Sequence, residues 1–416
     1  MNTTQKPHPE PRVMLLLGST VFVVSLGYGA GLPLIQLYLT QYFGPGATPQ
    51  IAWHVGMLGG VYTFALFLFA PWWGRLSDQR GRVVVLVAGF AAFLVGNAVA
   101  ALASSLGVVY GARLMAGAGA AAIMPTAQAA VADISTSMDR NRRFVLLGSA
   151  SFLGFLVGPA FGTWLVGPVM GMTVAQMPGM LNWPALSIAI GGIPILLLTP
   201  WILRGPHPAP APPEAATATV QRRRFVLASM VLAALASFAV GTFEVGFSLF
   251  GGQTLGLTNQ TMALMFVTCS LAMLAAQSML LVSAVRQRID HRWVAATFAA
   301  AALALSFASV VSGAAALGLL VAVVATGIGL IGPVLSYELL ERNGGEHGAV
   351  LGRQAAAGNL GRPLDRLAPD RSLRCTPPHP SGWRRSCCYS ALAPLSLCGA
   401  PHAMTRSHCA RHRGST

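Results

Sequence analysis

Gly74-Arg75-Leu76-Ser77-Asp78-Gln79-Arg80-Gly81-Arg82 is a short charged stretch between two long apolar runs. Ahead of it, residues 51–73 hold only His54 as a side chain that ionises near neutral pH; behind it, residues 83–103 hold none. Runs of roughly 20 apolar residues are long enough to cross a ~30 Å hydrocarbon layer as helices. The connection between them carries Arg75, Arg80 and Arg82, which places it on the cytoplasmic side. Gly74 and Gly81 predict a tight reversal. Asp78 then lies near the start of the following helix, where the positive end of the backbone dipole favours an anion.

The rest of the chain has the same texture. It is 54% hydrophobic and 9% charged, far below the roughly one-quarter charged residues of a soluble domain. The formal charge of +15 is spread in brief clusters between apolar runs, which a membrane explains and a nucleic-acid face does not. Residues 1–12 are polar and no small-residue cleavage site follows, so the first span is expected to remain as an anchor. Apolar runs at 13–38, 51–73, 83–103, 108–132, 144–166 and 184–203 precede a proline-rich, basic linker at 204–224. Further runs follow at 225–250, 262–285, 293–311 and 314–339. Arginine-bearing connections alternate with uncharged ones throughout, which fixes the amino terminus in the cytoplasm. Gly117-Ala118-Gly119 and Gly327-Ile328-Gly329 lie 210 residues apart, and Leu106-Gly107 and Leu317-Gly318 lie 211 apart, so the chain reads as two related halves.

The pattern fails near Arg362. An eleventh span starts at 349, but residues 362–416 hold nine arginines, two acids and Cys375, Cys387, Cys388, Cys398 and Cys409. No run of 18 apolar residues survives there, so the eleventh span is expected to be cut short and the twelfth to be missing. Cys375/His379 and Cys398/His402 offer cysteine and histidine, yet no Cys-x-x-Cys pair exists. A frame shift in a GC-rich gene, leaving a disordered tail, accounts better for the composition.

The stretch at 74–82 resembles the signature loop between helices 2 and 3 of the major facilitator superfamily of secondary transporters. Gly74, Asp78, Gly81 and Arg82 match that pattern, while Gln79 and Val83 stand where the family usually has a base. Arg113-Leu114-Met115-Ala116-Gly117-Ala118-Gly119, followed by Pro125, resembles the family's span-four motif, whose arginine is associated with proton coupling. Gly154-Phe155-Leu156-Val157-Gly158-Pro159-Ala160-Phe161-Gly162 resembles the antiporter motif of drug/proton exporters, with Val145 and Thr163 in place of two of its glycines. The resemblance covers residues 13 to about 361. It implies an all-α polytopic fold of two six-helix halves (1–203 and 225–361, the second incomplete), joined by the linker, with about ten or eleven spans. It also implies a latch, in which Asp78 faces the amino end of helix eleven near Gly348 and Arg82 pairs with Asp133.

Arg113 and Glu244 are the only charged residues of spans one to ten that lie clear of the helix ends. A charge in hydrocarbon costs ~2.5–3.5 kcal/mol or more unless it meets a partner or a wet cavity, so both are functional candidates. Each lies about six residues from the outer end of its span, roughly 9 Å deep at ~1.5 Å per residue. An apolar cavity favours the neutral acid, so Glu244 is expected to take up a proton from outside. Proton uptake would release Arg113 or a cationic substrate, and Met115, Phe243 and Phe247 would suit lipophilic cargo. The expectation is a proton-driven exporter of small lipophilic or cationic compounds in a bacterial inner membrane. It would be a monomer in the lipid bilayer, with no cofactor, metal or nucleic acid. A metabolite or sugar importer, and a membrane sensor, assembly subunit or inactive truncated form that does not transport, are the alternatives. No Gly-x-x-x-x-Gly-Lys-Ser/Thr loop is present, Lys6 being the sole lysine, and no His-Glu-x-x-His occurs, which argues against an ATP-driven pump and a metalloprotease. Resequencing the gene around codon 362 is expected to show that a one-base restoration yields two further apolar spans. An uninterrupted frame giving the same tail would overturn that expectation.

Overall fold

The computed structural model describes residues 11–44, 48–135, 137–166, 183–203, 224–237, 259–279, 296, 299–300, 303, 314–342 and 347–367. Among them every regular element is a helix. In chain order they are α1 (Pro11–Phe43), α2 (Thr48–Arg80), α3 (Arg82–Ala101), α4 (Leu106–Ile134), α5 (Ser137–Val166) and α6 (Trp183–Ile202). Then follow α7 (Arg224–Ser237), α8 (Asn259–Met279), α9 (Ala314–Arg342) and α10 (His347–Leu367). The first six each contain a stretch long and apolar enough to cross a membrane. Large apolar side chains such as Leu68, Val95, Leu153, Ile193 and Trp201 stand exposed on their outer faces. On a soluble protein such a surface would drive association, whereas hydrocarbon solvates it.

Two sequence expectations change. Residues 74–80 do not form a glycine-bracketed turn: α2 runs through Arg80, and the reversal falls on Gly81 alone, whose φ of 92° only glycine adopts freely. Asp78 therefore lies in the last turn of α2 rather than at the start of α3. The physical reason is continuity, since Trp73, Leu76 and Ser77 extend the packed face of α2 and leave nothing to break it. At the other end, α10 continues to Leu367, past the composition change at Arg362. Leu360, Leu364 and Leu367 keep helical spacing across that point. Residues 368–416, with the tail cysteines, and most of 280–313 lie outside the described residues.

Small residues set how closely the helices pack. In α4, a side chain at Gly117 would strike Tyr62 and Ala65 of α2, and one at Gly119 would strike Gly89 and Phe93 of α3. The Gly-Ala-Gly pair thus serves two neighbours at once, one glycine for each. The span-five motif works the same way. Gly154 lies on the backbone of Phe22 and Leu26, and Gly158 on that of Leu26, Gly29 and Ala30, all in α1. Between them Ser25 and Ser151 share a 2.8 Å hydrogen bond. Without a hydrophobic drive between helices in lipid, this backbone-to-backbone approach is what holds α1 to α5. Pro159 and Gly162 fall on the same helix, the first exposed and the second buried. Gly158→Val inserts branched carbons against rigid backbone, where overpacking costs ~1–3 kcal/mol or more. Thermal unfolding in detergent is expected to show a clearly lowered midpoint for Gly158→Val and none for Gly111→Ala, which has open space around it.

Candidate transport site and inter-helix clasp

One end of the bundle gathers the end of α2, the start of α3, the end of α4, and the starts of α5 and α10. This is the arginine-bearing face. Here Asp78 Oδ1 accepts the backbone N–H of Gly348 at 3.0 Å and Oδ2 that of Ala349 at 2.6 Å. The first N–H groups of a helix have no partner within it, and the dipole adds positive potential, so a carboxylate satisfies both needs. Close approach makes it possible. A side chain on Gly74 would meet the Gly348 carbonyl, one on Gly348 would meet Ser77 and Arg82, and one on Gly352 would meet Ala70 and Gly74.

Arg82 organises the rest. Its Nη1 donates to Asp78 Oδ1 and, at 2.7 Å, to Ser77 Oγ. Its Nε donates to Asp133 Oδ2 at 2.9 Å, both side chains being about one-seventh exposed (15% and 14%). Sheltered from water, such charge-assisted bonds are worth more than the ~0–1 kcal/mol of a surface ion pair. The other oxygen of Asp133 meets His347 Nδ1 at 2.9 Å. The five side chains thus join α2, α3, α4 and α10. A second, uncharged link lies deeper, where Ser149 Oγ of α5 donates to Gln277 Oε1 of α8 at 3.2 Å over Gly148. Sequence reasoning missed His347, Ser77 and the Ser149–Gln277 pair. His347 precedes the apolar run, so only its place one residue before Gly348 could have flagged it. The neutral pair gave no charge signal at all.

Towards the opposite end, Arg113 of α4 lies over Gly31 of α1, with Nη2 3.4 Å from the Gly31 carbonyl, a long hydrogen bond. Its guanidinium is turned onto α1 at Gly31 rather than along the helix to the interface. Tyr28 stacks between Tyr62 of α2 and Phe155 of α5, with ring centroids 5.3 and 5.9 Å away. A narrow crevice beside Arg113 is lined by Ile35, Tyr38, Ala100 and Val109. Met115 lies partly buried in α4. Glu244, Phe243 and Phe247 lie outside the described residues.

The described helices thus form an apolar bundle clasped at one face, with a half-buried guanidinium on Gly31 towards the other. The sequence profile of the Major Facilitator Superfamily matches residues 17–364. The chain belongs to the Major Facilitator Superfamily. It is a multi-pass membrane transporter rather than an enzyme. Among relatives of this superfamily member, "Multidrug resistance protein 2" of Bacillus subtilis is 23% identical over 353 residues, spanning 84% of this chain and 86% of that protein. "Quinolone resistance protein NorA" of Staphylococcus aureus is 24% identical over 152 residues, 36% of this chain and 38% of that one. The crystal structure of the human organic anion transporter MFSD10 (TETRAN) shares the fold, with a TM-score of 0.66, 20% identity, and coverage of 87% of this chain and 93% of that one.

Asp78→Asn removes the charge and one of the two acceptor oxygens that hold α10. A charge-assisted hydrogen bond contributes ~1.5–3 kcal/mol. With a cysteine at Ala355 of α10, which packs in the cluster that α10 forms with α2, and the native cysteines replaced, Asp78→Asn is expected to speed labelling by an impermeant maleimide about tenfold, equivalent to ~1.4 kcal/mol. Unchanged labelling would show that the carboxylate does not hold these helices together.

Proposed function

We propose that the chain is a proton-coupled exporter of small lipophilic or cationic compounds. It works by alternating access, with the arginine-bearing face inside a bacterial cytoplasmic membrane. The observation that carries the reading is Arg113, a guanidinium within a span drawn in against Gly31 of α1. A cation held there is costly unless the cycle uses it. The relatives named for multidrug and quinolone resistance support export of drug-like cargo. The arrangement of arginines at the end of α2 and the starts of α3 and α5 supports the orientation.

In this reading the Asp78–Arg82–Asp133 clasp is the closed inner gate, and Gly74, Gly81 and Gly348 give it room. Cargo and protons then exchange from the outer side. Glu244 takes up a proton there, its attraction for Arg113 falls, and the cargo leaves. The two halves rock about the central cavity, the clasp opens, and the proton departs inward. Gly154, Gly158, Pro159 and Gly162 hold α1 and α5 together as a single body during that motion.

Inside-out membrane vesicles loaded with an acidic interior, with ethidium as the probe, test the cycle. Wild type is expected to accumulate ethidium only while the gradient lasts. Glu244→Gln and Arg113→Ala are each expected to lose gradient-driven uptake at least about tenfold, the loss expected for a coupling group rather than a packing one. Full uptake in Glu244→Gln would remove the carrier role of that carboxylate. Gradient-independent behaviour in wild type would favour the sensor or inactive reading, and uptake in right-side-out vesicles would favour an importer.

A further inference from the structure

His347 is not needed to cap α10, because Asp78 already accepts from both Gly348 and Ala349. Nor is it needed to anchor Arg82, which has Asp78, Ser77 and Asp133. Yet its Nδ1 is 2.9 Å from Asp133 Oδ1, and the side chain is only 17% exposed. It is the one histidine of the clasp, and histidine is the side-chain type suited to a charge switch near neutral pH.

We propose that His347 is a positioning residue of the gate, through which protons on the arginine-bearing face tighten the closed state. The inference rests on the reading of the clasp as a closed gate. From α4 Asp133 faces the imidazole directly, with Arg82 of α3 and Asp78 of α2 behind it. From α5 Arg140 reaches the carbonyl of Ala132, next to Asp133, at 3.4 Å. Two carboxylates against one guanidinium leave the clasp one negative charge in excess while the imidazole is neutral. An imidazolium balances it. The positive end of α10 and Arg140 oppose that extra charge. However, Asp78 already engages the helix end, and Arg140 is turned to a backbone carbonyl, whereas Asp133 is in direct contact.

The neutral imidazole still donates through Nδ1–H, so the contact survives at high pH without the Coulombic attraction. When α10 leaves α2, His347 loses Asp133 and faces water. The closed state therefore binds the proton more tightly than the open one, and acid must shift the population towards closure. An exporter that carries protons inward would thus slow its own inner opening as the inside acidifies. The control is graded and acts on the gate, away from Arg113.

Electron–electron resonance distances between spin labels at Gln79 and Arg224, both exposed, read the gate without a substrate. In the full-length protein in nanodiscs, the ratio of short to long distances is expected to rise about threefold or more between about pH 7.5 and about pH 5.5, the range in which an imidazole titrates. His347→Gln keeps a hydrogen-bond donor but cannot titrate, and is expected to abolish the rise. His347→Arg, permanently charged, is expected to hold the short distance at both pH values. His54→Gln, at the far end beside Tyr110, is expected to keep the rise. A rise retained in His347→Gln, or no rise in wild type, would overturn the proposal. Asp78→Asn in the same labelled protein checks the gate reading separately. If it fails to lengthen the distance, the clasp is not the gate. If it lengthens the distance while His347→Gln still responds to pH, only the role of His347 falls.

Discussion

The amino end of α10 has free N–H groups that no residue of α10 can satisfy, and Asp78 of α2 supplies the acceptors. Much of what surrounds this contact follows from it. A carboxylate can reach a helix end only if the two backbones nearly touch, which explains why Gly74, Gly348 and Gly352 face one another. Carrying its charge in a sheltered place requires a counter-charge, which Arg82 provides. Arg82 in turn holds Asp133 and so fixes the end of α4. The contact is also reversible by nature. At the end of the bundle, water can replace the carboxylate on the freed N–H groups, so opening loses a net ~1.5–3 kcal/mol per charged bond rather than the far larger cost of orphaning them in hydrocarbon.

The packing elsewhere differs in kind. Between α1 and α5, and between α3 and α4, glycine meets backbone along the helices with few charged groups involved. Such contacts have no alternative partner in lipid, so separating those helices would expose backbone to hydrocarbon with nothing gained. The glycines of α2 and α10 make an equally close approach, but are joined by ions that water can take over. The bundle therefore holds both kinds of contact, packed backbone between α1 and α5 and ions at the α2–α10 end.

Much of this was legible in the sequence because hydrocarbon imposes a coarse rule: long apolar runs, with arginine in alternate connections. The six apolar spans of α1 to α6 match the runs read from composition to within a few residues, apart from the longer ends of α1, α2 and α5. What composition could not say was which use a glycine has. Gly74 and Gly81 look alike as bracketing residues, yet Gly81 turns the chain with φ 92° while Gly74 lets another helix come close. The first use is local; the second depends on α10, some 270 residues away along the chain, and only the family resemblance pointed to it. His347 escaped for a related reason. It lies outside the apolar run that defined the span, so its pairing with Asp133 appears only when α10 is set beside α4. Glu244 stands on its sequence position alone, as it lies outside the described residues.

Arginine at one face of this bundle therefore has two uses that reinforce each other. Positive charge decides which loops stay inside when the chain inserts, and that requirement concentrates guanidinium groups where the clasp lies. Once there, Arg82 is ringed by Ser77, Asp78 and Asp133, and its geometry is set by bonds to three separate points rather than by charge alone. A lysine would satisfy the insertion rule equally well, but it is a single point donor and could not bridge two carboxylates on different helices along fixed directions. The near absence of lysine from the chain, with Lys6 its sole example, leaves that face to the residue whose planar fork can serve insertion and bridge two carboxylates at once.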